Sequence, residues 1–476
     1  MNSASNNKLN SPPQHTDARL LFISLGIVNQ VITRAGFTSY LLFKAFKTLH
    51  LQQSDKQVVF ETVRGFLGNL NMIEFILQRH GSINFRDMPD PLLNLLRFGA
   101  FSVIVSHKNP KQLLGLARMQ GYDFYAKYSR FIERVMNFVS QRGTQILVDE
   151  SAKLPPRERV SIQQSFPRWI VDLWGDAFGD SFTEELCTES NIRPQQDLRV
   201  NVAKSSLERV KNALLRENVP CEKGTIAPHA LVVPNGIEVF KTKSFRRALF
   251  EMQDQGSQLV AYLVDLVPGD VVLDYCAGNG GKTLHMMSLA YKMDPRPGIY
   301  ASDISARKLV TLRRRVKRSF PDTSFLSVVQ QGDLPRVTQG TRFSKVLVDA
   351  PCSGLGNVRR NPGIKITCTR EDIDELVGKQ ATILCDTANL CKPGTRLIYV
   401  TCTINPRENE EQVLQFVKTR SDFAIIPFLT GLKEGNPIAM AKFPTTSRLD
   451  NRFFTLYPPF TKTEGFFGAI LEKMRE

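Results

Sequence analysis

Val271-Val272-Leu273-Asp274-Tyr275-Cys276-Ala277-Gly278-Asn279-Gly280-Gly281-Lys282-Thr283 reads as a buried strand, a glycine-rich turn and the start of a helix. Glycines at the carboxyl end of a strand let the backbone approach a ligand closely, which is where doubly wound sheets bind. Two familiar phosphate-binding patterns fail here. A P-loop needs glycine five residues before Gly281, where Cys276 stands. The dinucleotide fingerprint needs a third glycine or alanine at Thr283. On either side of this turn the chain alternates apolar runs with helical stretches. The runs are Val271 to Asp274, Ile299 to Asp303, Phe325 to Val329, Val346 to Asp349 and Leu397 to Thr401. That alternation predicts a mostly parallel α/β sheet, doubly wound, with helices on both faces.

Acids fall at the ends of successive strands. Asp303 closes the second run, 29 residues after Asp274, where it can accept both hydroxyls of a ribose, whether of S-adenosylmethionine or of a dinucleotide. Asp333 lies just past the third, within reach of an adenine amino group, and Asp349 closes the fourth. Any one of them reads equally well as a solvated loop acid or a helix cap. Three at three strand ends beside a glycine turn point to a nucleoside site. The fourth strand runs into Asp349-Ala350-Pro351-Cys352-Ser353-Gly354 and the fifth into Thr401-Cys402-Thr403-Ile404-Asn405-Pro406. Both thiols therefore fall on the same sheet edge as the glycine turn. A lone cysteine is usually a small buried hydrophobe, but two at a ligand-binding edge suit covalent catalysis. Carbon 5 of cytosine is a poor nucleophile until a thiolate adds to carbon 6 and turns the ring into an enamine. Such a thiolate needs a lowered pKa, which a cation such as Lys282 can supply.

At these residues the chain resembles the Sun family of RNA 5-methylcytosine methyltransferases. The resemblance is carried by Cys276 to Thr283, by Asp349-Ala350-Pro351-Cys352-Ser353-Gly354, and by Thr401-Cys402 with Asn405-Pro406-x-Glu408-Asn409-Glu410. Gly465-Phe466-Phe467 matches the family's last strand. It implies a Rossmann-like class I methyltransferase domain with Cys402 as nucleophile and Cys352 assisting product release. It also implies that Cys276, Ala277, Gly278, Asn279, Gly280, Gly281, Lys282, Asp303, Asp333 and Asp349 hold S-adenosyl-L-methionine, with Lys282 and Asp349 facing the reaction. Two departures stand out: Ala277-Gly278-Asn279 where many members have Ala-Ala-Pro, and Ile366 where an aromatic is common.

The 476 residues are too many for one hydrophobic core. From Asp17 to about Arg142 the pattern is helical, and this stretch resembles a NusB-like RNA-binding domain. Ser54-Asp55-Lys56-Gln57 reads as a capping box, followed by an inner face of Val58, Val59, Val63, Phe66 and Leu67. Pro91 opens another helix. The expected organisation is a disordered tail over 1–16, an all-helical NusB-like domain over 17–150, a linker and small α+β region over 151–252, and the methyltransferase domain over 253–476. Pro155-Pro156 marks the linker.

Lys and Arg number 62 against 46 Asp and Glu, a net charge of +16 with a pI near 9.5, which favours a polyanionic partner. The helix carrying Arg307, Lys308, Arg313, Arg314, Arg315, Lys317 and Arg318 has no acid. Lys241, Lys243, Arg246 and Arg247 form a second basic run, and Arg359 and Arg360 follow the Cys352 turn. Those last two are the candidate RNA contacts because they adjoin the chemistry. The eight cysteines include no C-x-x-C pair, so neither a zinc site nor a redox pair is indicated, and a reducing cytoplasm fits. No run of about 20 apolar residues suggests a membrane span. The resemblance implies small-subunit ribosomal RNA as partner and a monomer. The rival readings are a non-catalytic RNA-binding or ribosome assembly factor keeping the fold, a methyltransferase acting on tRNA, and a DNA cytosine methyltransferase, which uses the Pro-Cys thiol instead.

Overall fold

The structure is a computed structural model that describes residues 18–33, 38–108, 123–440 and 452–474; the expected tail over 1–16 lies outside them. The described residues form two compact units. The first comprises the chain up to Asn191 together with Asn361–Cys368, and the second Ile192–Arg360 with Thr369–Glu476.

The first unit is helical. Its helices include α1 (Ala18–Ile32), α2 (Thr38–Thr48), α3 (Gln53–Gln78) and α4 (Asp90–Ile104). Val28, Val31, Val59, Val63, Phe66, Leu96 and Phe98, each at most 1% exposed, lie in one apolar core. Of the inner face expected of α3, Val59, Val63, Phe66 and Leu67 are buried and Val58 is half-buried, but the capping box is absent. The helix starts at Gln53, its N-cap Gln52 makes no side-chain cap, and the Ser54 hydroxyl turns to Asp55 instead. The expected linker is also helical. Pro156 occupies the first turn of the helix Pro156–Gln163, where its missing N–H costs nothing, so the Pro pair starts an element rather than breaking one. That helix and its successor belong with the first unit because Asn71 of α3 donates to the carbonyls of Ser161 and Phe166, both at 3.0 Å.

Residues 361–368 complete this unit from far along the chain. Lys365 is 3% exposed, and its ammonium donates to the carbonyls of Gly68, Gln164 and Ser165 at 3.1, 3.3 and 3.1 Å and to Asn191 Oδ1 at 2.6 Å. It also lies 3.8 Å from the centre of the Phe166 ring. Burial pulls the group down to about 7. All four oxygens are acceptors, so it is the protonated form that satisfies them. Ile366 packs against the helical core.

The second unit holds two sheets. A small antiparallel sheet, ordered β2-β3-β1-β4, is built from β1 (Gln196–Val200), β2 (Glu222–Lys223), β3 (Ala230–Val233) and β4 (Phe250–Met252). Leu198, Val200, Leu231 and Phe250 pack beneath it with Val210 and Leu214 of the helix Leu207–Arg216. The large sheet contains β5 (Val271–Asp274), β6 (Gly298–Asp303), β7 (Leu326–Gln330), β8 (Lys345–Asp349), β9 (Arg396–Thr401), β10 (Phe423–Ile426), β11 (Phe454–Leu456) and β12 (Phe466–Lys473). Its order is β10-β12-β9-β8-β5-β6-β7, with β11 on β12. Pairings from β7 through β9 are parallel, and those of β12 are antiparallel. One face packs on the helices Gln255–Leu263, Gly281–Ala290 and Ala306–Ser319, the other on Arg370–Leu390 and Glu410–Thr419. Strand order reverses between β5 and β8, so a crevice opens past their carboxyl ends. Among the described residues no helix is long and apolar enough to cross a membrane.

Candidate active site

The glycine-rich turn hangs between its neighbours. Tyr275 N donates to Leu347 O at 2.9 Å and Ala277 N to Ser302 O at 2.8 Å, which fixes the turn at the switch point. Gly280 has φ +83°, and a Cβ there would meet Leu312 at 2.7 Å, so glycine alone lets the following helix close on its neighbour. Thr283 Oγ1 donates to Asp274 Oδ2 at 2.6 Å. Asp274 is fully buried, and burial pushes its carboxyl up to about 7. Asp303 receives Gly278 N at 2.9 Å and Ser305 N at 2.8 Å, one on each oxygen. Each oxygen keeps a free lone-pair direction, so this carboxylate still suits a pair of ribose hydroxyls. Asp333 is more open and pairs with Arg336 at 3.6 Å rather than with the turn. Burial and the neighbouring carboxylates push the Cys276 thiol up, so it stays protonated.

Next to this turn, Lys282 Nζ contacts Asp349 Oδ2 at 2.6 Å. Burial opposes the ammonium, but Asp349 and the Cys402 sulfur outweigh it and hold Lys282 above the ordinary lysine value. Cys352 and Cys402, 50 residues apart in sequence, stand with their sulfurs 3.4 Å apart. The hydrogen bond to Cys402, then burial, raise Cys352 well above the ordinary thiol value. Cys352 therefore stays a thiol beside Cys402, and either sulfur can act as the donor between them.

What holds the two cysteine loops together is Glu408, which is fully buried. Its carboxylate accepts from Ser353 N at 2.8 Å, Ser353 Oγ at 2.5 Å and Gln380 Nε2 at 3.1 Å on the Cys352 side. On the Cys402 side it accepts from Asn405 Nδ2 at 3.0 Å and Thr403 Oγ1 at 3.3 Å. Gly356 N donates to the Cys402 carbonyl at 3.2 Å, and a Cβ on Gly356 would meet that oxygen at 2.8 Å. An acid flanked by Asn405-Pro406 and Asn409 was a visible signal in the sequence, since a carboxylate among polar loop residues next to a cysteine turn has donors to collect. Arg199, which supports the turn through the Gly281 carbonyl at 2.7 Å, left no such signal.

The pairs Gly278–Asp303, Lys282–Asp349 and Cys352–Cys402 are thus brought into contact. Of the two arginines expected to face RNA, Arg359 is buried and Arg360 is exposed. Arg359 is 3% exposed and donates to the carbonyls of Ile192 at 3.2 Å and Thr463 at 3.1 Å. Arg360 is held by Glu464 and lies 3.5 Å from both Asp197 and Asp254. Arg359 thus serves buried carbonyls, while Arg360 pairs with acids and keeps 40% of its side chain exposed.

A doubly wound sheet with a glycine-rich turn and an acid-tipped second strand at its switch point is the scaffold of a class I methyltransferase. Residues 261–472 match the family described as 16S rRNA methyltransferase RsmB/F, and residues 166–240 match its RsmF/B-like ferredoxin-like domain. The chain carries Sun-family methyltransferase domains of the RsmB/F type, whose cofactor is S-adenosylmethionine. The "Probable ribosomal RNA small subunit methyltransferase B" of Bacillus subtilis is 27% identical over 457 residues, 95% of this chain and 98% of the relative. The protein of the same name from Synechocystis is 27% identical over 465 residues, 96% and 99% of the two chains. Among solved structures, that of PH0851 covers 96% of this chain and 99% of its own at 23% identity, and its TM-score of 0.74 supports the fold. A methyltransferase homologue from Pyrococcus horikoshii, 25% identical, covers 67% of this chain and 100% of its own with a TM-score of 0.54.

Proposed function

We propose that this protein methylates carbon 5 of a cytosine in small-subunit ribosomal RNA through a covalent adduct on Cys402. It would act as a monomer in the cytoplasm, with the helical first unit engaging RNA. The observation that carries the reading is the pair of sulfurs 3.4 Å apart beside the Lys282–Asp349 pair. The turn from Cys276 to Gly281, Asp303 and Asp333 would hold S-adenosylmethionine, which would supply the electrophilic methyl group. Cys402, reacting as its thiolate, adds to carbon 6 and leaves carbon 5 electron-rich. Asp349 keeps Lys282 charged and oriented. After methylation, the carbon-5 proton must leave and the carbon–sulfur bond must break. Cys352 stands next to the departing sulfur as a thiol and assists that elimination. The target base reaches the thiols only when unstacked from its neighbours.

Two variants and one map test this. Bisulfite mapping of total RNA should lose one or a few cytosines in cells lacking the protein. Cys402→Ala should abolish methylation and form no adduct. Cys352→Ala should transfer methyl but stay crosslinked to RNA on denaturing gels. A crosslink that accumulates only in Cys402→Ala would reverse the roles, and full activity in both variants would remove covalent catalysis altogether.

A further inference from the structure

The cation-rich helix Ala306–Ser319 does not use its seven basic residues alike. Arg315 and Arg318 are structural: both pair with Glu251, Arg315 at 3.0 Å, and Arg318 also lies 4.1 Å from the centre of the Phe245 ring. The others are exposed. The chain brings a second basic group to the far end of this helix. Lys204 Nζ donates to the carbonyls of Arg247 at 3.1 Å and Arg318 at 3.4 Å, and Asn201 Nδ2 to those of Ala248 and Ser319 at 3.2 and 3.3 Å. The Lys204 ammonium and the Arg246–Arg247 segment are thereby brought to the carboxyl end of the helix that carries Arg314 and Lys317. Among the described residues no carboxylate forms an ion pair with any of these five. Burial, with a smaller contribution from the charge of Arg318, depresses the Lys204 ammonium. Two further features suit a nucleic acid. Phe240 is 57% exposed and meets Phe245 edge-on, with centroids 4.9 Å apart, at the start of the same basic run. Arg313 and Lys317 line a groove of about 620 Å³ with Phe320 and Thr323.

We propose that this patch is a second docking surface for RNA, separate from the thiol site. Lys204, Arg246, Arg247, Arg314 and Lys317 would hold backbone phosphates, and Phe240 would stack an unpaired base. The helix runs back from Asp303 for ~20 Å, so its basic end lies toward the amino-terminal edge of the strands, opposite the cysteines. The patch therefore grips RNA flanking the target rather than the target base. A solvated helix end in favourable contact with its own dipole accounts for Lys317, but not for Lys204, Arg246 and Arg247 converging on it from other elements. The proposal rests on the RNA reading above, and the test separates the two.

The full-length protein is titrated with an in vitro transcript of small-subunit ribosomal RNA between 50 and 200 mM salt. Its affinity is compared with that of a fourfold variant, Arg246→Ala, Arg247→Ala, Arg314→Ala and Lys317→Ala. A control variant changes Lys379, Lys392, Lys418 and Lys433 to alanine, four exposed lysines outside the patch. Losing four phosphate contacts lowers the salt slope by about 3, so wild-type affinity should fall about 50- to 150-fold more than the patch variant's over that range. The control should keep the wild-type slope, and calorimetry should give all three proteins the same cofactor affinity. Phe240→Ala should weaken binding without changing the slope. Equal slopes in wild type and patch variant, or an equal loss in the control, would overturn the patch and leave the RNA reading standing. A wild-type chain with no salt-dependent RNA affinity would overturn both.

Discussion

Replacing Glu408 by glutamine keeps the side chain's shape but turns one of its two acceptor oxygens into a donor. In the native loops Oε1 takes Ser353 N and Gln380 Nε2, and Oε2 takes Ser353 Oγ, Asn405 Nδ2 and Thr403 Oγ1. Hydroxyls can rotate to accept from the new amide, but Asn405 Nδ2 cannot, so at least one donor–donor clash remains in a fully buried place. Hydrogen bonds to a charged acceptor are worth roughly 1.5–3 kcal/mol each, and neutral ones about 1. With partial rearrangement, Glu408→Gln should cost about 1–3 kcal/mol in urea unfolding, and Glu408→Ala about 3–5, since it takes the acceptor from three backbone or amide donors. The larger effect is on catalysis. Relaxing the clamp lets the two sulfurs, 3.4 Å apart, separate, and a misplacement of about 1 Å costs on the order of 100-fold in rate. Single-turnover methyl transfer should therefore slow 10- to 100-fold in Glu408→Gln while calorimetric cofactor affinity stays within about twofold. Glu408→Asp, one methylene short, should recover part of the rate. A folded Glu408→Gln protein with the native rate would refute the clamp.

Asp303→Ala should weaken cofactor binding by about 1.5–3 kcal/mol, and unchanged calorimetric affinity would remove it from the site. Lys365→Ala should destabilise the first unit by about 2–5 kcal/mol, because the Gly68 and Ser165 carbonyls lose their ammonium donor; a shift below about 0.5 kcal/mol in urea unfolding would show that water replaces it. Asp197 and Glu464 are both raised to about 7 by burial and by the neighbouring Asp254. An acid whose folded-state pKa is raised binds its proton more tightly when folded, so stability should fall as pH rises through about 7. Urea midpoints at pH 5.5 and 8 should differ in that direction, and Glu464→Gln should flatten the difference; greater stability at pH 8 would contradict the assignment.

The sheet was legible because β5 through β9 are short apolar runs closed by polar turns, a pattern that burial on both faces imposes. The cysteine and aspartate positions were legible for a related reason: chemistry in such sheets gathers at strand ends, and strand ends are easy to count. What stayed hidden were long-range pairings of charged residues. Lys365 looks like a solvated cation between Ile364 and Ile366, and nothing local shows that carbonyls some 200 to 300 residues upstream await it. The partners of Arg359 were hidden in the same way, as was Glu251, the partner of Arg315 and Arg318, which lies on another sheet. Pro155-Pro156 misled because proline marks a helix start as readily as a break.

The excursion of residues 361–368 into the first unit bears on how the chain is made. That unit's own helices end at Asn191, yet the segment that fills it begins only at Asn361, 170 residues later. At ~5–20 residues per second, a ribosome takes about 9–34 s to cover that gap. During this interval the front of the nascent chain can gather its apolar core, but it cannot close over Gly68 and Ser165. The leading unit therefore finishes last in part, and its completion reports that the loop bearing Cys352 has already emerged.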